Sequence, residues 1–353
     1  MLTDRIKLSA SRGERMYVIY HSSDAFSGVT GVSMTSLFEN NKDMDDIHVL
    51  YIERGISDEN KKKLYAAAEK YHRTLEFMEM PDWASKFNIH LKSCKSGWLG
   101  FGFNRLFLTE FIPPEIDRVL YLDSDTIIEN SLSELWNTDL EGYYLAGVDD
   151  CLSSHYRDIV EIDENGTYCN SGVLLINLKK WREENITVRF LRVLEDNNGY
   201  FVFNEQSILN SVFSGKIKIL PQNYNVNSLV YLFSYKELMK LRKPYRYSYN
   251  PEDLADAKSH PILTHFTGNF YVGKRPWIEG SDHPHKDAYL YYKNLSLWKD
   301  DPLNNDTRKT GSKIYTGFCH ILPRGMMITL VSVLYNNIRP KSFRRKLKKE
   351  RKQ

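Results

Sequence analysis

Arg118-Val119-Leu120-Tyr121-Leu122-Asp123-Ser124-Asp125 decides the reading of this chain, because an apolar run suited to a buried strand ends on two carboxylates one residue apart. Side chains two apart on an extended backbone project to the same face, so Asp123 and Asp125 present oxygens toward one point. Hard anionic oxygens suit Mg²⁺ or Mn²⁺, and a two-carboxylate site with open positions is the kind in which a metal also grips substrate phosphates. An ordinary polar turn after a strand has the same appearance. The flanking chain has to decide between the two.

Upstream, Met16-Tyr17-Val18-Ile19-Tyr20 reads as a first buried strand running into the polar His21-Ser22-Ser23-Asp24-Ala25. Val32 to Phe38 is helical, and Ile47 to Ile52 is a second strand. Ser57 caps the next helix, with Asp58 and Glu59 in its first turn. Leu75-Glu76-Phe77-Met78 gives a third strand. Strands alternating with helices predict an α/β chain with a mostly parallel sheet covered on both faces. In such sheets ligands bind beyond the C-terminal strand ends, which is where both Asp24 and the D-x-D fall. Trp98-Leu99-Gly100-Phe101-Gly102-Phe103 is aromatic and glycine-punctuated, fitting either close approach to a ligand or tight packing. Asn104 to Phe111 continues as a helical pattern carrying Arg105, which Pro113-Pro114 stops.

Downstream, Ala146-Gly147-Val148-Asp149-Asp150 ends another strand, and Cys151 to Thr167 reads as a polar surface excursion. Asn170 then precedes the apolar Val173-Leu174-Leu175-Ile176, an expensive place for an amide unless it is hydrogen-bonded. A helix follows from about Lys180. Asn204-Glu205-Gln206-Ser207-Ile208-Leu209-Asn210 opens a further helix, where Asn204 is equally well a plain cap. Ile217 to Leu220 and the turn Pro221-Gln222-Asn223-Tyr224-Asn225 lead to Ile262-Leu263-Thr264-His265-Phe266-Thr267-Gly268. An imidazole such as His265 is a good third ligand for Mn²⁺, and Gly268 leaves room for a bulky anion. Lys274, Arg275 and Trp277 follow.

With 353 residues, 42% of them hydrophobic, the chain can bury a large core. Its formal charge of +3 is unevenly spread, with Arg344, Arg345, Lys346, Lys348, Lys349, Arg351 and Lys352 crowding the end. Cys94, Cys151, Cys169 and Cys319 show neither zinc-knuckle nor disulfide spacing, which points to a reducing, cytoplasmic setting. The polar Met1 to Arg15 carries no signal-peptide core, and no run of about 18 apolar residues spans a bilayer.

Five of these stretches together resemble glycosyltransferase family 8, which holds bacterial lipopolysaccharide galactosyl- and glucosyltransferases and the glycogenins. They are Val119 to Asp125, Asn170 to Asn177, Glu205 to Asn210, Leu220 to Asn225, and His265 to Gly268 with Lys274 to Trp277. The resemblance implies a GT-A fold of Rossmann-like form over residues 16–280. It is preceded by an N-terminal extension (1–15) and followed by a helical extension (281–320) and a basic amphipathic tail (321–353). It further implies a UDP-glucose or UDP-galactose donor, Mn²⁺ or Mg²⁺, and transfer with retention of anomeric configuration. Asp123, Asp125 and His265 match the family's metal ligands. Arg105, Asn170, Glu205 and Gln206 match donor-sugar contacts, with Gln206, Glu205 and Asn170 at the reacting face. Ser124, Asp24 and Gly268 fall on the donor side, and either Lys274 or Arg275 holds the diphosphate.

The sequence departs from the family at Ser22 to Phe26, where an acidic and amide cluster ending in tyrosine is usual. It departs again at Glu205, where aspartate is usual, and at Asn269 to Gly273, which lengthen the His265 motif. The same residues admit an inverting transferase, or a nucleotide-sugar-binding protein without catalysis. The partners expected are the donor, a glycan or lipid-linked glycan acceptor, and an anionic membrane under the tail, with no nucleic acid. In the tail, Met326 to Tyr335 is too short to span a bilayer but long enough to lie on one beside its cations, at the inner face of the plasma membrane.

Overall fold

The computed structural model describes residues 15–87, 102–268, 271 and 273–350. Trp98-Leu99-Gly100-Phe101, Cys94, most of the expected N-terminal extension, Asn269, Phe270, Val272, Arg351 and Lys352 lie outside the described residues. Seven strands form the main sheet in the order β3-β2-β1-β4-β7-β6-β8. They are β1 (Arg15–Ser23), β2 (Asp46–Arg54), β3 (Thr74–Glu79), β4 (Arg118–Leu122), β6 (Leu145–Asp149), β7 (Cys169–Asn177) and β8 (Ile217–Ile219). A second sheet joins β5 (Thr126–Ile128), β10 (Leu263–His265) and β9 (Val226–Asn227). Pairs β1/β2, β2/β3, β1/β4 and β6/β8 are parallel, while β7 runs antiparallel to both its neighbours.

The period-2 alternation of strand side chains divides the core into two layers. Val18, Tyr20, Val49, Tyr51, Leu120 and Leu122 pack on one face of the sheet. Ile19, Leu50, Ile52, Val119 and Tyr121 pack on the other. Because β7 is covered on both faces, Cys169 through Ile176 is buried throughout, which accounts for its unbroken apolar run.

Two segments differ from the sequence reading. Asn104 to Phe111 is not a helix but two short 3₁₀ turns, Gly102–Leu106 and Leu108–Glu110. Phe103, Leu106, Phe107 and Leu108 are all buried, so this segment has no solvent face of the kind a surface helix keeps. Cys151 to Thr167 is not a surface excursion. Leu152, Tyr156, Ile159, Val160 and Ile162 form a satellite core of their own, against which Tyr335, Phe343 and Leu347 pack. Their spacings of four, three, one and two hide an apolar face among polar neighbours.

Residues 310–350 are largely helical, with helices Thr310–Ile321, Arg324–Val333 and Arg339–Glu350 and a π-helical turn at Leu334–Ile338. Met327, Ile328 and Val331 join the core that lies on β1 and β2. Each such buried aliphatic contributes about 1.5–3 kcal/mol relative to exposure. Asn336 donates to the Leu241 carbonyl at 2.9 Å, and Arg324 pairs with Glu237 of the helix Tyr235–Arg242 at 2.6 Å. The opposite side of these helices leaves Ile314, Phe318, Ile321, Met326, Leu330 and Val333 exposed.

The Arg324 hydrogen bond holds the Glu237 carboxyl down at about 2, against an ordinary value of 4.5. A carboxylate depressed on folding adds stability above its unfolded pKa and loses it as pH falls through the folded one. Glu237→Gln, which can still complete the Ser234 capping box, therefore melts below wild type at pH 6. The gap in melting temperature closes between pH 4.5 and 2; a gap that is constant with pH would mean that the charge plays no part.

Candidate active site and metal centre

β4 ends at Leu122 and the chain turns through Asp123, Ser124 and Asp125 into β5, which leaves the main sheet for the small one. There β5 pairs antiparallel with β10 in a register that sets Thr126 opposite His265. Two backbone bonds lock the turn: Asp123 N–H donates to the Gly172 carbonyl at 2.8 Å, and Phe266 N–H to that of Asp125 at 2.9 Å. The result brings one oxygen of Asp123, one oxygen of Asp125 and a ring nitrogen of His265 within 4.8 Å of one another. His265 Nε2 lies 3.1 Å from Asp125 Oδ1 and 3.8 Å from Asp123 Oδ2.

Burial of the ring pulls the pKa of His265 down, but the charges of Asp125 and Asp123 outweigh it and the net shift is upward. Burial pushes Asp125 up, yet His265 and Arg275 hold it below its usual range. Two hard oxygens and one imidazole nitrogen in a partly buried pocket fit Mg²⁺ or Mn²⁺, and a cation bound there takes the place of the proton that the carboxylates favour. Gly172 makes the convergence possible, since a Cβ at this position would stand 2.2 Å from His265 Cε1 and 2.8 Å from Asp123 Oδ2.

A chain of hydrogen bonds orients this centre. Gly172 N–H (2.9 Å) and Asn225 Nδ2 (3.0 Å) both donate to Asn170 Oδ1. That fixes both amides, so Asn225 Oδ1 accepts from His265 Nδ1 at 3.2 Å and Nε2 is the ring nitrogen left to face the carboxylates, 3.1 Å from Asp125 Oδ1. In the other direction Asn170 Nδ2 donates to Gln206 Oε1 at 3.4 Å, and Gln206 Nε2 donates to Asp150 Oδ2 at 3.0 Å. Gln206 Oε1 also accepts the Ser171 N–H at 3.1 Å. Burial pushes Asp150 up, against the Arg242 charge and the Gln206 bond.

Arg105 is 3% exposed and serves the same cluster. It donates to the Ser171 carbonyl, and to Asp123 Oδ1 at 2.9 Å, and lies 3.7 Å from Glu205. Burial raises Glu205 while Arg105 opposes the rise. Gly102 lets Glu205 in, because a Cβ there would meet Glu205 Oε2 at 2.4 Å. Ser124 Oγ donates to the His21 carbonyl at 2.8 Å, steadying the turn between the two aspartates.

Of the two cations, Arg275 reaches the centre, 2.9 Å from Asp125 Oδ2, whereas Lys274 Nζ donates to the Glu279 carbonyl at 3.0 Å. Asp24 is committed elsewhere: its Oδ1 accepts from Ser57 N–H, Ser57 Oγ and Asn60 Nδ2, each at 2.8 Å, which ties the end of β1 to the helix Asp58–Lys70. Asp150 and Asn225 were not singled out from sequence as site residues. The available signal was position for Asp150, which follows β6 as Asp123 follows the like-directed β4, and for Asn225 its place in the Leu220 to Asn225 stretch.

Cavities lie on two sides of the cluster and both border Gly268. One of about 910 Å³ is lined by Phe26, Arg275, Trp277 and Arg308. The other, about 390 Å³, is lined by Asn170, Gln206, Asp150, Arg242 and Tyr335.

Residues 17–279 match the sequence model of the family described as Glycosyl transferase family 8. The chain is 24% identical over 295 residues, 81% of its length and 96% of the relative's, to General stress protein A of Bacillus subtilis (strain 168). It is 25% identical over 275 residues, 77% of its length and 75% of the relative's, to a lipopolysaccharide 1,2-glucosyltransferase of Escherichia coli (strain K12). Among solved structures it superposes on galactosyltransferase LgtC in complex with donor and acceptor sugar analogues with a TM-score of 0.64 and 22% identity, covering 85% of this chain and 100% of that one. That likeness shows the fold, which is GT-A.

Gly172→Ala is expected to weaken Mn²⁺ binding by about 10–100-fold, the scale of disturbing a residue that orients a metal ligand. Calorimetric titration with MnCl₂ reads the effect, with circular dichroism as the check on folding. Unchanged affinity in a folded variant would remove the metal from this site.

Proposed function

Since this chain belongs to glycosyl transferase family 8, we propose that it moves a glucose or galactose unit from a UDP-sugar to a glycan or lipid-linked glycan, with a divalent metal, Mn²⁺ or Mg²⁺, and with retention of configuration. The observation that carries this reading is the convergence of Asp123, Asp125 and His265 beside Arg275, with Asn170 and Gln206 on the far side of Gly172. The roomier cavity on the Arg275 side suits a nucleoside diphosphate, and the smaller one on the Gln206 side suits an acceptor sugar. Asp123, Asp125 and His265 would hold the metal, which would supply Lewis-acid stabilisation of the departing diphosphate. Arg275 adds a fixed positive charge where negative charge develops.

In the reaction, an acceptor hydroxyl oxygen bonds to the anomeric carbon while the bond from that carbon to the β-phosphate oxygen breaks. The hydroxyl proton passes to the departing phosphate, and UDP leaves. Retention by double displacement needs a nucleophile on the opposite face. Gln206 suits that role poorly, because its carbonyl oxygen already accepts bonds from Asn170 and Ser171. Attack on the leaving-group face fits better, with the Gln206 carbonyl dipole and the buried Glu205 placed to favour the positive charge that grows on the sugar ring.

The exposed apolar row from Ile314 to Val333 belongs to the same reading. Lys341, Arg344, Arg345, Lys346, Lys348 and Lys349 follow it on the helix Arg339–Glu350. No helix among the described residues is long and apolar enough to cross a membrane. An apolar face flanked by cations lies on an anionic leaflet instead, each nearby Lys or Arg contributing about 1 kcal/mol. A lipid-linked acceptor is then within reach.

Release of UDP from UDP-glucose and UDP-galactose, with Mn²⁺ or with a chelator, tests the transferase reading. Gln206→Ala is expected to lower turnover by about 100-fold while changing UDP affinity by less than about threefold, because its partner is charge present only in the transition state. Equal losses in both would make Gln206 a binding or structural residue. For the membrane face, Ile321→Glu combined with Met326→Glu alters two solvent-exposed side chains. This variant is expected to stop sedimentation with phosphatidylserine vesicles at low salt. Undiminished sedimentation would place lipid contact elsewhere, and its absence in wild type would remove the membrane from the account.

A further inference from the structure

The cavity of about 390 Å³ on the Gln206 side falls in the range of small-molecule sites, about 300–1,000 Å³. Its charged lining residues are Asp150, Arg242 and Arg339, one carboxylate against two guanidiniums. Asp150 is committed to Gln206. Arg242 keeps its Nε away from solvent with no hydrogen-bond partner, and its guanidinium lies 4.5 Å over the ring of Tyr335. Arg339 sits 5.6 Å from the ring of Phe203, 5.9 Å from that of Tyr335 and 5.3 Å from that of Phe343. Among the described residues neither arginine has a carboxylate within salt-bridge distance.

Stacking engages the face of a guanidinium and leaves its edge, the fork of N–H donors, open to a planar or tetrahedral oxyanion. The donor phosphates do not account for this pair, because Arg275, the cation that pairs with Asp125 of the triad, lines the other cavity and not this one. Arg242 ends the helix Tyr235–Arg242, and Tyr335 and Arg339 come from the C-terminal helices, so the wall of this cavity is assembled by parts of the chain outside the D-x-D architecture. We propose that the cavity is the acceptor pocket and that it takes a sugar bearing an anionic group, phosphate or carboxylate, held by Arg242 and Arg339 while a sugar hydroxyl meets Asp150 and Gln206. The assignment as acceptor pocket rests on the transferase function proposed above, and the anion preference rests on the two guanidiniums.

The test is a titration of this 353-residue chain, with Mn²⁺ and UDP present, by glucose, glucose 6-phosphate and glucuronic acid. The expected result is that at least one of the two anionic sugars binds about tenfold or more tighter than glucose, the scale of one charge-assisted hydrogen bond. Whichever of glucose 6-phosphate and glucuronic acid binds tighter identifies the anion. Arg242→Gln and Arg339→Gln each erase most of that preference, and Arg242→Lys restores part of it. Arg339 is exposed, so Arg339→Gln decides the matter even where Arg242→Gln does not fold. Equal affinity for glucose and both anionic sugars in a protein that binds UDP overturns the proposal. So does a preference that survives Arg339→Gln and Arg242→Lys undiminished, which would make both arginines mere staples for the C-terminal helices. Wild type that takes anionic sugars but not UDP would sink the transferase function and leave the anion pocket standing.

Discussion

The constraint on which the centre of this molecule depends is the direction of four hydrogen bonds running His265, Asn225, Asn170, Gln206, Asp150. An amide donates at one end and accepts at the other, so once the Gly172 N–H makes Asn170 Oδ1 an acceptor, every other group in the row has one orientation left. At one end the imidazole turns its Nε2 toward Asp123 and Asp125. At the other, Gln206 keeps its carbonyl on the Ser171 side and its amino group on Asp150. A buried amide without partners costs a few kcal/mol, so reversing one member of the row would strand several groups at once. The Asp123, Asp125 and His265 cluster and the Gln206 cavity are thus parts of one network.

Much of this was legible in the sequence, and for identifiable reasons. The strand before Asp123 announces itself by its apolar run and β7 by its longer one, because strands covered on both faces lose the polar half of their alternation. Asn170 stood out as an amide beside such a strand, and the structure supplies the partners that such an amide needs. What stayed hidden depends on pairing across long sequence separations. No local signal tells that Asn225 faces His265, that Arg242 stacks on Tyr335, or that Arg275 and not Lys274 swings onto Asp125. Cys151 to Thr167 looks like surface in sequence because its apolar face is matched to Tyr335, Phe343 and Leu347, more than 160 residues downstream. Arg105 was placed on a helix because an isolated periodic stretch looks alike whether or not its polar side meets water.

The C-terminal helices connect these observations. One side of Arg324–Val333 is buried in the main core, the other is apolar and exposed, and Tyr335 just beyond it lines the Gln206 cavity. In the reading proposed, the segment that rests on a lipid surface also walls the place where an acceptor sits, so a lipid-linked glycan need not leave the bilayer surface to be glycosylated. Arg242 and Arg339, held by aromatic faces, give that wall its charge.

Electron–nuclear double resonance on Mn²⁺ bound to protein labelled with ¹⁵N-histidine tests the account most directly, since it reads whether an imidazole nitrogen enters the coordination shell. The account predicts ¹⁵N coupling from a single histidine, abolished in His265→Gln and weakened in Asn225→Leu, where the Nδ1 bond that aims the ring is gone. Strong Mn²⁺ binding without ¹⁵N coupling, or coupling that persists in His265→Gln, would contradict it.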